Sequence, residues 1–125
     1  MSKAILIVID GCRPDGLMGA KTPHIDALIR RGAHSFTASS VDPPITLPAH
    51  LIIFTSKSPV NHGVLTNTGV PDHSAGAWSI IDIAKYNQKR TAAFISWPHF
   101  VNLSHPYSLD FFVHSNTVHD QNNDV

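Results

Sequence analysis

Ala4-Ile5-Leu6-Ile7-Val8-Ile9 is an unbroken apolar run rich in β-branched residues, and it is closed by Asp10-Gly11. A strand covered on both faces of a parallel sheet has no polar alternation, so this run predicts the first strand of such a sheet. Ligands of open α/β sheets bind beyond the carboxyl ends of the strands. Asp10 therefore has two readings, a turn residue before glycine or a carboxylate placed to hold a cation or a sugar.

Outward from that strand, Cys12 to Gly16 reads as a loop. Thr22 then caps a helix with Pro23 at its first position, and Ile25, Leu28 and Ile29 form its apolar stripe. Arg30 and Arg31 suit the carboxyl end of that helix, and Gly32 stops it. Phe36, Ala38 and Val41 give His34 to Val41 the pattern of a second strand or extended segment. Asp42-Pro43-Pro44-Ile45-Thr46-Leu47-Pro48-Ala49-His50 follows, where prolines impose an extended approach before a largely buried helix carrying Leu51, Ile52, Ile53 and Phe54. Ser56 to Gly63 is a polar loop, Val64 to Asn67 brings the chain back, and Thr68 to Gly76 is turn-rich. Ser79 caps a helix through Tyr86, and Thr91 to Ser96 reads as a buried strand. After a loop at Trp97, Pro98 and His99, Leu109 to Val113 forms a last short strand. The alternation implies βαβ units: an α/β fold over residues 1–115 with a mostly parallel sheet, flanked by helices starting near Thr22, Thr46 and Ser79. Residues 116–125 read as a polar, frayed tail.

At 125 residues the chain has the length of one small domain, and 42% hydrophobic against 14% charged residues describes a folded, soluble protein. Nine Lys and Arg balance nine Asp and Glu, which gives no basic surface for a nucleic-acid polymer. Cys12 is the only cysteine, so no internal disulfide forms and a reducing compartment is favoured. Ile5 to Ile9 is too short for the apolar core of a signal peptide, and no run reaches membrane-spanning length; the expected location is the cytoplasm, without a membrane partner. Nine histidines are scattered without an H-x-x-x-H pair, which makes most of them surface or packing residues.

Thr46 stands where extended chain becomes helix. As an N-cap its hydroxyl would accept from free N–H groups of the first turn, with Pro48 tolerated there. The other reading is chemical: a hydroxyl beside unpaired N–H groups and a positive dipole end is placed to attack an anionic centre such as phosphorus. A divalent cation held by a hard-oxygen ligand such as Asp10 lowers the pKa of such a hydroxyl. Asn67 reads either as a turn residue or as a side-chain donor to the charge that develops on phosphate.

Four segments in register carry a resemblance: Ile7-Val8-Ile9-Asp10-Gly11-Cys12-Arg13-Pro14-Asp15, Thr22-Pro23-His24-Ile25, Pro43 to His50, and His62-Gly63-Val64-Leu65-Thr66-Asn67. Together they resemble the start of a type I phosphodiesterase/nucleotide pyrophosphatase of the alkaline phosphatase superfamily, and Ser79 to Phe94 is similar to the family's next helix and strand. The resemblance implies a two-zinc hydrolase of small phosphate diesters or nucleotide pyrophosphates. In it Thr46 is the nucleophile, Asp10 and Thr46 ligate one metal, and Asn67 contacts a non-bridging phosphate oxygen. Family members draw their remaining ligands from Asp and His residues in a later half, so the chain reads as an N-terminal portion with an incomplete metal centre. His119-Asp120 has the reversed order of the family's Asp-His pair, and His114, His119 and Asp120 are the reserve ligands. His50, four residues after Thr46, points back along the first turn. Bare apolar surface then predicts pairing with a second copy or with a missing carboxyl-terminal half. The alternative function is a non-catalytic homologue that binds anions or serves as an assembly module.

Overall fold

The computed structural model of the chain describes residues 3–42, 44–69 and 77–115. It divides into two compact units, Met1–Ser39 and Ser40–Val125. The expected tail at 116–125, most of the turn-rich segment before Ala77 and Pro43 lie outside the described residues.

In the first unit, α1 (Pro14–Gly19) and α2 (Pro23–Arg31) each begin with proline, whose missing N–H costs nothing in a first turn. The loop expected over Cys12 to Gly16 thus contains the start of a helix, with Arg13 and Asp15 paired at 2.8 Å on its exposed face. Thr22 occupies the N-cap of α2, but its hydroxyl donates to Asp26 Oδ1 at 2.9 Å instead of capping an amide. Gly32 ends α2 as expected, its N–H donating to the Leu28 carbonyl at 2.9 Å.

Ala4 to Ile9 corrects the sequence reading: the segment forms no strand, and Ile5, Ile7 and Ile9 are 86%, 74% and 61% exposed. The same holds for His34 to Val41, which has no regular structure. Side-chain propensity does not make a strand; a ladder partner does, and among the described residues neither segment has one.

The second unit contains α3 (Thr46–Thr55), α4 (Pro59–His62), α5 (Ile80–Tyr86), β1 (Ala92–Ile95), a 3₁₀ turn at Pro98–Asn102, and β2 (Phe111–His114). Its core is Leu47, Leu51, Val64 and Leu103, with Phe54, Trp97 and Phe100 packed around them. The expected burial of α3 holds on one side only: Leu51 is 1% exposed, whereas Ile53 is 50% exposed. Ser56, in the left-handed region at φ 55°, ends the helix, and the Thr55 hydroxyl donates back to the Leu51 carbonyl. The loop expected at Ser56 to Gly63 holds the single turn α4, opened by Ser58-Pro59 and closed by Gly63 at φ 73°.

Helix α5 begins at the cap expected at Ser79, which the structure extends to a capping box with Asp82. Asp82 N–H donates to Ser79 Oγ, and Asp82 Oδ2 accepts from Ser79 N–H. The same carboxylate accepts from the His105 backbone N–H at 2.8 Å and lies 3.0 Å from His105 Nδ1, tying α5 to the loop after the 3₁₀ turn. β1 and β2 pair in parallel, Ala92 opposite Phe111 through Ile95 opposite His114, and residues 96–110 supply the crossover that parallel strands need. Both strands were expected, but β1 is not buried: only alternate residues are half-covered, and Phe94 is 72% exposed. Asp110 secures the start of the pair by accepting from Thr91 N–H and from Lys85 Nζ. Among the described residues no helix is long and apolar enough to cross a membrane.

Candidate functional site

Thr46 is the first residue of α3, not its cap. The N-cap is Ile45, in extended conformation at φ −90° and ψ 137°, and it has no side chain able to accept a hydrogen bond. The cap comes instead from 20 residues downstream, where Asn67 Oδ1 accepts the Leu47 N–H at 3.0 Å. Because a backbone amide can only donate, this contact fixes the orientation of the Asn67 amide: its carbonyl end faces the helix and Nδ2 is left as a donor.

That contact changes which first-turn amides can meet an anion. Leu47 N–H is taken by Asn67, Pro48 has no N–H, and Ala49 N–H donates to the Ile45 carbonyl at 3.0 Å. The expected group of free helix amides therefore reduces to the Thr46 N–H, adjacent to the half-buried Thr46 hydroxyl. Among the described residues, no hydrogen bond engages the Thr46 side chain or Asn67 Nδ2. A hydroxyl, one amide and one side-chain amino group are thus available on a single helix opening, with the positive end of the helix dipole behind them.

His50 packs as its spacing suggested. Its Nδ1 lies 2.8 Å from the Thr46 carbonyl, which can only accept, so Nδ1 carries the proton, and the ring rests on Phe100 with centroids 4.4 Å apart. This bond holds the carbonyl of Thr46 and leaves its hydroxyl untouched. His62 takes the opposite tautomer: Val64 N–H donates to its Nδ1 at 3.2 Å, so Nδ1 is bare and Nε2 carries the proton. Reading the sequence missed His62 as a buried residue. The available signal was its place before Gly63 and the apolar Val64.

Asp10 belongs to the first unit, whereas Thr46 and Asn67 belong to the second. Asp10 and Gly11 form a turn in which Asp10 Oδ1 accepts the Gly11 N–H at 3.0 Å and Gly11 takes φ 67°. The turn reading of Asp10 is thereby realised, and its second carboxylate oxygen keeps full acceptor capacity. Among the described residues no three His, Cys, Asp or Glu side chains come together as a metal-binding group. A zinc site takes three or four protein ligands, so the donors described here do not complete one. His114 is exposed at the end of β2, and His119 and Asp120 lie outside the described residues. Cys12 is free and exposed.

The model of the type I phosphodiesterase/nucleotide pyrophosphatase family matches residues 4–102, and the chain belongs to that family. An uncharacterized pyrophosphatase/phosphodiesterase of Schizosaccharomyces pombe is 36% identical over 66 residues, which is 53% of this chain and 14% of that protein. No solved structure gives a significant match.

Proposed function

We propose that this chain is part of a metal-dependent hydrolase of small phosphate diesters or nucleotide pyrophosphates, built on an alkaline-phosphatase-like fold, with Thr46 as its nucleophile. The observation that carries the reading is the bond from Leu47 N–H to Asn67 Oδ1, which sets the amino group of Asn67 at the helix opening that bears the Thr46 hydroxyl. Family membership over residues 4–102 supports the reaction class.

In this reading Thr46 Oγ1 forms a bond to phosphorus as the ester oxygen of the leaving group departs, and the hydroxyl proton ends on the leaving group. Water then cleaves the Thr46 phosphoester and restores the hydroxyl. The charge that develops on the non-bridging oxygens meets Asn67 Nδ2 and the Thr46 N–H. One such donor is worth about 3 kcal/mol in a transition state. Zinc is the metal we assign, and Asp10 and Thr46 are the residues of this chain assigned to it. Two oxygens are fewer than zinc requires, so the remaining ligands come from beyond the described residues.

Turnover of a chromogenic phosphodiester by the chain with added zinc tests the proposal. Zinc-dependent release that disappears in Thr46→Ala is the expected result, together with a wild-type peptide in which Thr46 carries the retained half of the substrate, its phosphorus and remaining ester group, after acid quench. Release unchanged in Thr46→Ala would remove the nucleophile. A well-folded wild type that holds zinc, as read by a competing indicator, yet shows no turnover would favour the anion-binding or assembly reading.

A further inference from the structure

His62 is 2% exposed, and among the described residues its Nε2 is a buried polar atom without a hydrogen-bond partner. An orphaned donor inside a core is unfavourable, and an apolar side chain of similar volume would fill the same space without it. The ring nitrogen that does make a bond is the other one. Nδ1 accepts the N–H of Val64, two residues on, across Gly63 at φ 73°. A residue with a Cβ is strained at that φ, so the turn joins a permissive glycine to a side-chain acceptor.

The consequence of closing this turn is felt at Val64 and then at Asn67. Val64 is 1% exposed and belongs to the core with Leu47 and Leu51. Gly69 lies against it, because a Cβ there would stand 2.7 Å from Val64 Cγ1. Val64 is thus held by His62 from one side and lined by Gly69 on the other, with Asn67 between them in the chain. Asn67 is itself exposed, so nothing in its own burial determines where its amide points. Its one described bond, to Leu47 N–H, depends on the path the chain takes after Val64.

We infer that His62 is a positioning residue for Asn67: through Nδ1 it closes the turn at Val64 and so seats the Asn67 carbonyl on the Leu47 amide, leaving Nδ2 directed outward as a donor. The catalytic meaning of this seating rests on the function proposed above; the seating itself does not. Burial lowers the imidazole pKa, and the Pro48 carbonyl, outside hydrogen-bond geometry, and the His62 carbonyl oppose the shift only in part. The ring is therefore neutral at neutral pH, as an acceptor nitrogen requires.

Nitrogen-15 spectroscopy of the wild-type imidazole and amide hydrogen exchange of the full chain test this together. The wild type is expected to show His62 with Nδ1 bare and Nε2 protonated; an Nδ1–H tautomer would overturn the inference without any variant. Asn places an acceptor oxygen where Nδ1 stands, whereas Leu fills volume without one. In H62L, exchange at Leu47 should quicken by about tenfold relative to Leu51, the size of a lost helix cap, whereas H62N should keep the wild-type ratio. Equal change at Leu47 and Leu51, or equal loss in both variants, would reduce His62 to packing and overturn the inference. Phosphodiester turnover, read in parallel, should fall in H62L with KM unchanged and return in H62N. A chain with no turnover but His62-dependent exchange at Leu47 would support the seating and remove the proposed function.

Discussion

Asn67 caps α3 and, under the proposed function, also donates to the phosphate; substitution separates the two roles. Asn67→Ala removes the acceptor for Leu47 N–H, the amide of a residue that is 0% exposed. Losing this cap and leaving the Leu47 donor unmet beside the core are one event, which costs about 2 kcal/mol, the upper end of the range for a helix cap. With a urea dependence of about 1 to 2 kcal/mol per molar for a small protein, the unfolding midpoint should fall by roughly 1 to 2 M. Asn67→Asp keeps an oxygen at the same place and adds a negative charge at a helix N-terminus, worth about 0.3 to 1 kcal/mol in favour of folding. Its midpoint should equal or exceed that of the wild type. Both variants lose Nδ2, so phosphodiester turnover should fall by about two to three orders of magnitude in each. Urea unfolding followed by circular dichroism at neutral pH reads the first effect, and a chromogenic assay the second. If Asn67→Asp loses as much stability as Asn67→Ala, the cap assignment is wrong; if Asn67→Ala leaves the midpoint in place, the bond to Leu47 contributes nothing.

Leu51→Ala should destabilise the second unit by about 2 to 5 kcal/mol, because Leu51 is 1% exposed in the core, and a thermal midpoint unchanged from wild type would contradict that packing. Burial pushes the carboxyl of Asp82 up, but hydrogen bonds from Ser108, His105 and Ser79 outweigh it and hold its pKa well below the usual carboxylate range. A folded pKa below the unfolded one means stability that is present above about pH 4 and lost as the pH falls below it. Asp110, lowered to about 2 chiefly by its hydrogen bond from Lys85, adds a loss of the same sign between about pH 4 and that value. Asp82→Asn should thus be less stable at neutral pH and flatter in acid, and an acid-unfolding curve parallel to wild type would refute the pairing. Zinc should bind the chain no more tightly than roughly micromolar, given two candidate oxygens, and more weakly still in Asp10→Asn. Competition with a zinc indicator measures both, and tight binding of two ions per chain would show a complete ligand set. Phe94 and Phe111 form a ring pair with centroids 5.8 Å apart and are 72% and 56% exposed, so the chain should self-associate; a monodisperse monomer across a concentration series in sedimentation would argue against this.

The features legible in the sequence are those whose energetics close within a few residues. Pro23 at the first position of α2, Gly32 beyond its end and the Ser79 cap of α5 each settle the backbone groups of a helix end locally, and each stands where the sequence placed it. The strands around Ala92 and Phe111 were readable because β-branched and aromatic residues lie between turn signals. The family, too, was legible, since its motifs are short and ordered. The helices α1 and α4, inside segments read as loops, are too short to show a period; the other failures share one physical cause. Ala4 to Ile9 has every local mark of a strand, but a strand is defined by hydrogen bonds to another segment, which composition does not specify. Thr46 has the chemistry of a cap and its place at the junction, yet the helix is capped by Asn67 across 20 residues of chain. The bonds from His105 N–H to Asp82, and from Thr91 N–H to Asp110, likewise span 23 and 19 residues. Local sequence determined where α2 starts and stops, where α5 starts, and which hydroxyl stands at the junction before α3; tertiary packing decided which amide of that helix remains free, because a hydrogen-bond donor can be claimed by any acceptor that folding brings within reach.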